Sequence, residues 1–334
     1  MRLALIYGVL TGGGAERRLG DLCRYLLDNG DDCFILASTF DALGEAVIHG
    51  QCGVPLDRVI YYNTGDGFFC DHIQDFFEGK VRDLGIDLVD VQWFPGYDVV
   101  PFPCKAVATI HGISSCPPPS IFSGLISVED GLGFSQAWKH YEVIWNWVNL
   151  RRFPFQEKLG EGLCFGGRAF KNINVRKVLP FYNGMIDGYG TSNAPQTNLS
   201  PNWRWHGFAD WAEKVPNYRV AFGSAQVVME SIAAGRLVIA GQSCHLPQSA
   251  MGDLVPEGKL VMPDNIESLS RANSFSYRHG REPLPEEVWA EVQKALANDF
   301  TEERRVMRQW IEERHSMDTQ CSKIRAFYSR VMEG

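Results

Sequence analysis

Apolar residues in the first half of the chain follow two alternating spacings. Short continuous apolar runs, the pattern of strands buried on both faces, cover residues 3–7, 33–37, 58–62, 87–93 and 106–111. Helical spacing covers residues 15–29 and 71–84, and each of these segments ends at a glycine. Strand, turn, helix and strand in this order predict a parallel sheet covered by helices on both faces.

Two later segments lack both spacings. Residues 114–134 are rich in Pro, Ser and Gly and predict a loop, and the polar residues 193–202 predict a second loop at the surface. Residues 286–333 return to helical spacing and predict helices at the end of the chain. The length of 334 residues favours two domains, each large enough to form its own core.

The composition restricts the classes of function. The formal net charge is −8, so the chain repels nucleic-acid phosphates overall and we expect no nucleic-acid partner. Nine cysteines without a zinc-binding spacing favour buried, reduced thiols in a cytoplasmic protein. No apolar run approaches the roughly 18 residues of a membrane helix, and we expect a soluble protein. Peripheral contact with a membrane and the oligomeric state stay open.

A glycine cluster separates the first predicted strand from the first helix. In TGGGAE, Gly12, Gly13 and Gly14 allow the main chain to approach an anion closely, and the helix N-terminus adds partial positive charge. The third glycine of a dinucleotide fingerprint falls on Arg17, and no GK[ST] follows, so neither nucleotide motif is present. A tight turn without a ligand is the alternative.

Three further side chains follow predicted strands. His111 ends the strand at residues 106–111, where it would donate a hydrogen bond to a sugar hydroxyl or a phosphate, or else satisfy a neighbouring carbonyl. Arg168 and Lys171 follow an apolar run at residues 163–165 and a glycine turn. Arg and Lys together suit a diphosphate, although two solvated surface cations are the common alternative.

The segment GSAQVVMESIAAG joins small residues to a helix. Gly223, Ser224 and Ala225 open the helix predicted at residues 225–234, whose N-terminus suits the second side of a diphosphate. Glu230 lies among apolar residues; if buried it needs partners such as ribose hydroxyls, and otherwise it faces water. No DxD, GxSxG or HExxH motif occurs, so we expect a site without a metal ion or resident cofactor.

Together and in this order, these segments resemble the retaining glycosyltransferases of the GT-B type, the large family numbered four. GGGAERRLGDLCRYLLDNGDDCFIL is similar to the family's opening elements, VATIHG to its strand ending in His, GGRAFK to its donor-phosphate segment, and ESIAAGRLVIAG to its most specific motif. The resemblance covers nearly the whole chain. It implies an α/β GT-B fold, in which two Rossmann-like domains with parallel sheets face each other across a cleft.

The resemblance also implies how the chain is divided. Residues 1–154 would form an N-terminal acceptor-side domain, and residues 155–315 a C-terminal domain that binds the nucleotide-sugar. Residues 316–334 would form a helix that crosses back and packs on the N-terminal domain. The partners implied are a UDP- or GDP-type nucleotide-diphospho-sugar donor and a small-molecule, glycan or lipid-linked acceptor.

The family's functional positions can be carried over one by one. His111 would lie at the reacting sugar, Arg168 and Lys171 would neutralise the leaving diphosphate, and Glu230 would bind the ribose. Transfer would retain the anomeric configuration and need no metal. The implied donor-binding positions are Gly13, Gly14, Arg168, Lys171, Gly223, Ser224, Ala225 and Glu230.

Several positions depart from the family's pattern. Phe222 stands where the family has a second Glu, and Lys171 follows Arg168 by three positions instead of five. Trp147 stands where the family has Gly. These departures keep open a second function, a GT-B-like protein that binds a nucleotide or glycan without transferring it.

A third function, nucleotide-sugar epimerisation, would need carboxylates around the sugar. The candidates for that role are Asp87, Asp90 and Glu129, and none of them lies in a supporting motif.

Overall fold

The computed structural model describes residues 1–10, 12–62, 71–93, 101–111, 117–128, 137–167, 173–190, 201–240, 258–267 and 283–334. The chain divides into two compact units. The N-terminal unit contains Met1–Asn146 and Met317–Gly334, and the C-terminal unit contains Trp147–Ser316. The domain limits expected from the sequence lie after residues 154 and 315.

A seven-stranded parallel sheet forms the centre of the N-terminal unit. Its strands are β1 (Arg2–Leu10), β2 (Asp32–Phe40), β3 (Val59–Tyr61), β4 (Leu88–Trp93), β5 (Lys105–Ile110), β6 (Gly124–Ser127) and β7 (Tyr141–Val143). They lie in the order β3-β2-β1-β4-β5-β6-β7. The central strands are buried and mainly apolar, because helices cover both faces of a parallel sheet, and Asp90 and Gln92 are the buried polar residues of β4.

A five-stranded parallel sheet forms the centre of the C-terminal unit, in the order β10-β9-β8-β11-β12. Its strands are β8 (Leu163–Gly166), β9 (Ile186–Tyr189), β10 (Trp203–Trp205), β11 (Val220–Gly223) and β12 (Leu237–Ala240). Both sheets therefore have the order 3-2-1-4-5 around their own first strand, the arrangement of the Rossmann fold.

The helices of the described residues pack on these sheets. They are α1 (Gly14–Asp28), α2 (Ala42–Glu45), α3 (Asp71–Asp83), α4 (Ile173–Val178), α5 (Trp211–Lys214), α6 (Gln226–Ala233), α7 (Pro285–Ala297), α8 (Thr301–His315) and α9 (Met317–Glu333). Helix α1 buries Leu19, Leu22, Cys23 and Leu26 at helical spacing. It ends where Gly30, with φ of +81°, takes the left-handed conformation that glycine adopts without strain.

The last helix, α9, belongs to the N-terminal unit. It buries Ile324, Phe327, Tyr328 and Val331. A Cβ on Gly124 of β6 would lie 2.9 Å from the ring of Phe327, so glycine at this position allows the helix to pack directly on the sheet.

Two buried arginines hold the segment before β8 in the C-terminal unit. Arg236 donates through Nη2 to the carbonyls of Gln156 and Lys158 at 2.8 and 3.0 Å. Arg304 of α8 donates through Nη2 to the carbonyl of Glu157 at 2.8 Å. Desolvation lowers the pKa of Arg236 to about 10, which still leaves the guanidinium charged at neutral pH. Main-chain carbonyls therefore compensate the buried charges.

The prediction of two parallel α/β sheets is confirmed, as are the strands and helices predicted in the first half of the chain. The prediction of one continuous loop over residues 114–134 is wrong, because β6 lies within it and pairs with β5. This strand has only four residues, all buried, in a Pro-rich context that outweighs its short apolar run. Residues 193–200 of the second predicted loop lie outside the described residues.

Among the described residues, no helix combines the length and the apolar character needed to cross a lipid bilayer. The cysteines in the described ranges are free thiols, and all of them except the partly exposed Cys104 are buried.

Candidate functional site

In each sheet, the second and third strands lie on one side of the first strand, and the fourth and fifth strands lie on its other side. In the N-terminal unit β1 lies between β2 and β4, and in the C-terminal unit β8 lies between β9 and β11. Connections leave such a strand pair towards opposite faces, and open α/β sheets bind ligands in the crevice beyond the carboxyl ends there. The strand ends concerned are Leu10 and Trp93 in one unit, and Gly166 and Gly223 in the other.

The predicted glycine cluster lies at this edge in the N-terminal unit. Gly13 is extended and directly precedes α1, and Gly14 is the first residue of that helix. Gly12 has φ of +88°, and a Cβ there would lie 3.0 Å from Cβ of Leu43. Oε2 of Glu16 lies 2.5 Å from the position that a Gly13 Cβ would occupy. The backbone therefore requires glycine at position 12, whereas the contact at Gly13 is with the flexible end of a side chain. The anion-binding role of the cluster stays a prediction.

His111 directly follows β5 and contacts a side chain of the neighbouring strand. Its Nε2 lies 2.6 Å from Oε1 of Gln92 on β4. Arg18 of α1 donates to the same oxygen through Nη1 at 3.4 Å. A strand residue therefore contacts His111, and α1 contacts that strand residue in turn.

A buried carboxylate lies two residues before Gln92 and therefore on the same face of β4. Asp90 accepts hydrogen bonds from Oγ1 of Thr109 at 2.8 and 3.0 Å and from the hydroxyl of Tyr328 at 2.5 Å. It also lies near Arg18 and stabilises the guanidinium charge. Asp90 is 0 % exposed, and these protein groups bind its carboxylate. The carboxylate is therefore not available to contact a sugar, as epimerisation would require.

Burial and charge determine the protonation states in this cluster. Desolvation lowers the pKa of His111 well below its usual value, and the charge of Arg18 lowers it further, so the imidazole is neutral at pH 7. Desolvation raises the pKa of Asp90, while hydrogen bonds from Tyr328 and Thr109 and the charge of Arg18 oppose the rise. The cluster thus joins a neutral histidine to a buried cation and its counterion.

Close main-chain contacts line the corresponding edge in the C-terminal unit. A Cβ on Gly190, which follows β9 with φ of +150°, would lie 1.8 Å from the carbonyl oxygen of Gly167 after β8. A Cβ on Gly223 at the end of β11 would lie 2.3 Å from Val227 of α6. Only glycine fits at these points because backbone and helix approach too closely for a side chain.

The predicted turn at Gly223, Ser224 and Ala225 joins β11 to α6 through a strained residue. Ala225 has φ of +53° and ψ of −124° at the N-cap of α6, a conformation that residues other than glycine rarely adopt. Strain of this kind costs on the order of 1–3 kcal/mol and is concentrated at ligand-binding turns. The first N–H groups of α6 and their partial positive charge lie at the predicted anion-binding position.

Glu230 is buried on α6, with 1 % of its surface exposed. Its Oε1 accepts a hydrogen bond from Nε2 of Gln226 at 3.2 Å. The same Gln226 nitrogen donates to the carbonyl oxygen of Trp147 at 2.6 Å. The alternative in which Glu230 lies on the wet face of the helix is therefore wrong.

The remaining predicted positions have different outcomes. Arg168 and Lys171 lie outside the described residues, so their roles stay predictions; β8 ends two residues before Arg168. Phe222, which replaces the family's second Glu, is buried in the core and pairs with Phe165 of β8.

Sequence reasoning missed Arg18, Gln92 and Tyr328. The available signal was in the strand LVDVQW, where Asp90 and Gln92 place two polar side chains at period two within a buried apolar run. Buried polar side chains require partners, so this spacing indicates a polar cluster on one face of the sheet.

Two further observations concern acidic groups. Asp87 accepts a hydrogen bond from the main-chain N–H of Arg2 at 2.8 Å, at the amino end of β4 and thus at the opposite edge of the sheet from His111. Within the described ranges, no group of three or more His, Cys, Asp and Glu side chains could hold a metal ion.

Comparison with known proteins shows agreement in structure without close similarity in sequence. Neither a family model nor a curated relative matches the chain. A glycosyltransferase from Rickettsia africae ESF-5 matches with a TM-score of 0.66 and 13% identity, over 100% of this chain and 99% of that chain.

Two further solved structures match over 100% of both chains. A variant of S. aureus TarM, in complex with fondaparinux, alpha-GlcNAc-glycerol and UDP, has a TM-score of 0.68 and 10% identity. The pneumococcal O-GlcNAc transferase GtfA, in complex with UDP and GlcNAc, has a TM-score of 0.65 and 8% identity. With its two Rossmann-like sheets, this chain has the GT-B fold of these glycosyltransferases.

Proposed function

We propose that this protein is a glycosyltransferase that moves a sugar from a nucleotide-diphospho-sugar to an acceptor, with retention of configuration and without a metal ion. The observation that carries the proposal is the edge of the C-terminal sheet, within a chain that matches glycosyltransferases over its whole length. There a strained turn opens α6, and this helix buries Glu230.

The C-terminal unit supplies the groups that suit the donor nucleotide. The N-terminal N–H groups of α6, after Gly223 and Ser224, bind one side of the diphosphate. Arg168 and Lys171 add positive charge, and Glu230 accepts hydrogen bonds from the ribose. UDP is the first candidate for the nucleotide because two of the matching structures contain it, and GDP is the second.

The chemistry follows from the charge on the leaving group. As the bond between sugar and phosphate breaks, negative charge grows on the diphosphate, so fixed cations and main-chain N–H groups stabilise the transition state more than the ground state. His111 contacts the reacting sugar, and the N-terminal unit carries the acceptor. The acceptor is a small molecule, a glycan or a lipid-linked sugar.

Nucleotide binding provides the first test. A ligand that binds only the folded state stabilises it by about 2.7 kcal/mol at one hundred times its Kd, so the unfolding midpoint rises. We expect a rise with UDP or GDP, but not with ADP, dTDP or CMP, and we expect Glu230→Ala and Arg168→Ala to abolish it. Glu213→Ala removes an exposed carboxylate from the same unit and should leave the rise intact.

Turnover provides the second test and does not require the acceptor to be known. Slow hydrolysis of a UDP- or GDP-sugar releases nucleoside diphosphate, and NMR of the released sugar reports its first-formed anomer. The same anomer as in the donor supports retention, and the opposite anomer would refute it. Nucleotide binding without any release, across UDP- and GDP-sugars and glycan acceptors, would refute the transferase and favour a binding protein.

A further inference from the structure

The orientation of one buried amide decides which nitrogen of His111 carries the proton. Gln92 is 1 % exposed, and its Oε1 lies 3.4 Å from Nη1 of Arg18 and 2.6 Å from Nε2 of His111. A guanidinium only donates, so it requires the oxygen of the amide rather than the NH₂ group. An oxygen held by Arg18 can only accept from His111. The proton of the neutral imidazole therefore lies on Nε2, and Nδ1 keeps its lone pair.

The surrounding charges favour the neutral form of that imidazole. Among the described residues, the charged group that acts on His111 is Arg18 of α1, and both desolvation and this cation lower the pKa of His111. Arg18 is in turn compensated by Asp90 of β4 and interacts with Tyr328 and Cys321 of α9. A proton on Nδ1 would add a second positive charge beside Arg18 in a desolvated site.

The amide of Gln92 has neighbours at both of its ends. A hydrogen bond from the Gln92 side chain lowers the pKa of Asp90, which lies two residues earlier on the same face of β4. A carboxylate only accepts, so it takes the NH₂ group and leaves the oxygen of the amide to His111 and Arg18.

We propose that Gln92, oriented by Arg18, is a positioning residue that holds His111 in the single neutral tautomer with the proton on Nε2. With the proton on Nε2, Nδ1 of His111 carries a lone pair and cannot donate a hydrogen bond to a phosphate oxygen. This restriction bears on a sugar donor only within the transferase function proposed above, whereas the tautomer itself does not depend on that function.

NMR tests the tautomer without any substrate. Protein labelled with ¹⁵N at histidine gives long-range ¹H–¹⁵N spectra in which the two ring nitrogens differ, and the His111 signal is identified by its loss in His111→Asn. We expect the Nε2–H tautomer alone in the unmodified protein. Gln92→Leu should release a mixture of tautomers, while Gln92→Glu should keep the tautomer and raise the pKa of His111. Gln74→Leu removes a buried amide on α3 and serves as the matched control with no effect.

Each outcome decides the proposal. A mixture or the Nδ1–H tautomer in the unmodified protein would overturn it, and so would an unchanged His111 signal in both Gln92 variants. If Gln92→Leu fails to fold, judged by its circular dichroism and unfolding midpoint, the pKa of His111 in Gln92→Glu carries the test alone.

Activity measurements then separate this inference from the proposed function. In an active transferase we expect kcat/KM to fall about tenfold in Gln92→Leu, the value of one hydrogen bond. We also expect the acid limb of the pH–rate profile to move to higher pH in Gln92→Glu, and neither effect in Gln74→Leu. If the spectra are as predicted but the protein binds no nucleotide, the positioning role of Gln92 is upheld and the transferase function is refuted.

Discussion

The two units share a strand order at the centre of their sheets but line the carboxyl edges of these strands in different ways. In the N-terminal unit, the buried side chains Arg18, Asp90, Gln92 and Tyr328 are linked by hydrogen bonds and charge beside His111. In the C-terminal unit, glycines allow main chain and helix to approach closely, and a strained Ala225 opens α6.

This difference indicates two ways of preparing an edge for a ligand. A polar cluster holds one side chain in a defined orientation and protonation state, at the cost of desolvating charges. A glycine-lined edge exposes main-chain N–H groups to an anion and depends on backbone conformation. Removing a counterion from the polar cluster, or a glycine from the glycine-lined edge, tests each of these two descriptions.

The largest effect is expected where a counterion is removed from the N-terminal cluster. Asp90→Ala leaves the guanidinium of Arg18 buried without the carboxylate that stabilises its charge. We expect a loss of about 3–5 kcal/mol in the free energy of unfolding, measured by guanidinium chloride denaturation. Thr109→Val removes a single hydrogen bond to the same carboxylate and should cost only about 1 kcal/mol. Equal losses in the two variants would mean that charge compensation is unimportant there.

A somewhat smaller loss is expected from the backbone of the C-terminal unit. Gly190→Ala would bring a Cβ to 1.8 Å from the carbonyl oxygen of Gly167 and would strain a φ of +150°. We expect a loss of about 3 kcal/mol in the same measurement. Gly207→Ala is the matched control, because its φ is +76° but nothing lies within 4 Å of the added Cβ. That variant should lose only about 1 kcal/mol, and a similar loss at both positions would contradict the close-contact description.

The same contrast explains how far the sequence alone predicts this molecule. Buried parallel strands appear as continuous apolar runs, and helices such as α1 end at a glycine, so most elements were predictable. Gly223 was predictable too, because a glycine after a strand marks a close main-chain approach, whereas Gly190 follows β9, which was not predicted. Strand β6 was missed because its short apolar run lies in a Pro-rich context, and β10 was missed because Arg204 interrupts its three residues.

The polar cluster was not predictable in the same way. Arg18 and Gln92 are 74 residues apart, and Asp90 and Tyr328 are 238 residues apart. Hydrogen bonds between such positions depend on how strands and helices pack in three dimensions. The local spacing of residues along the sequence therefore does not predict them. Two polar residues at period two in β4 indicate that a cluster exists but not which helices complete it.

A gain in stability is expected at the strained turn. Glycine adopts a φ of +53° without strain, so Ala225→Gly removes the strain energy of this turn. The free energy gained in this way exceeds the cost that arises because glycine has more conformational entropy in the unfolded chain. We expect a net stabilisation of about 1 kcal/mol, measured as a higher unfolding midpoint. Ala233→Gly makes the same substitution within α6 and should destabilise by about 1 kcal/mol. A loss of stability in Ala225→Gly would show that this turn carries no strain.

The smallest effect concerns the stability of the protein in acid, where the pKa shifts of one aspartate in each unit have opposite directions. Desolvation raises the pKa of Asp187 on β9, but hydrogen bonds from Arg204, His206 and Tyr218 outweigh it and leave the pKa below the usual value. Its stabilising contribution is therefore present above about pH 4, the pKa of the unfolded state, and is lost as the pH falls below it. Because Arg204 is largely exposed, we expect Asp187→Asn to lose less than about 1 kcal/mol at pH 7.

The pH dependence of the same variants gives the sharper comparison. Asp187→Asn should flatten the decline in unfolding free energy below about pH 4, since the carboxylate that titrates there is gone. Asp90 has a raised pKa, so its protonated form is favoured by folding and its contribution is lost as the pH rises above about 4. Asp90→Asn should therefore make stability rise more steeply with pH in that range. The same direction of change in both variants would contradict the assignment of opposite pKa shifts to Asp90 and Asp187, and with it the electrostatic contrast between the two units.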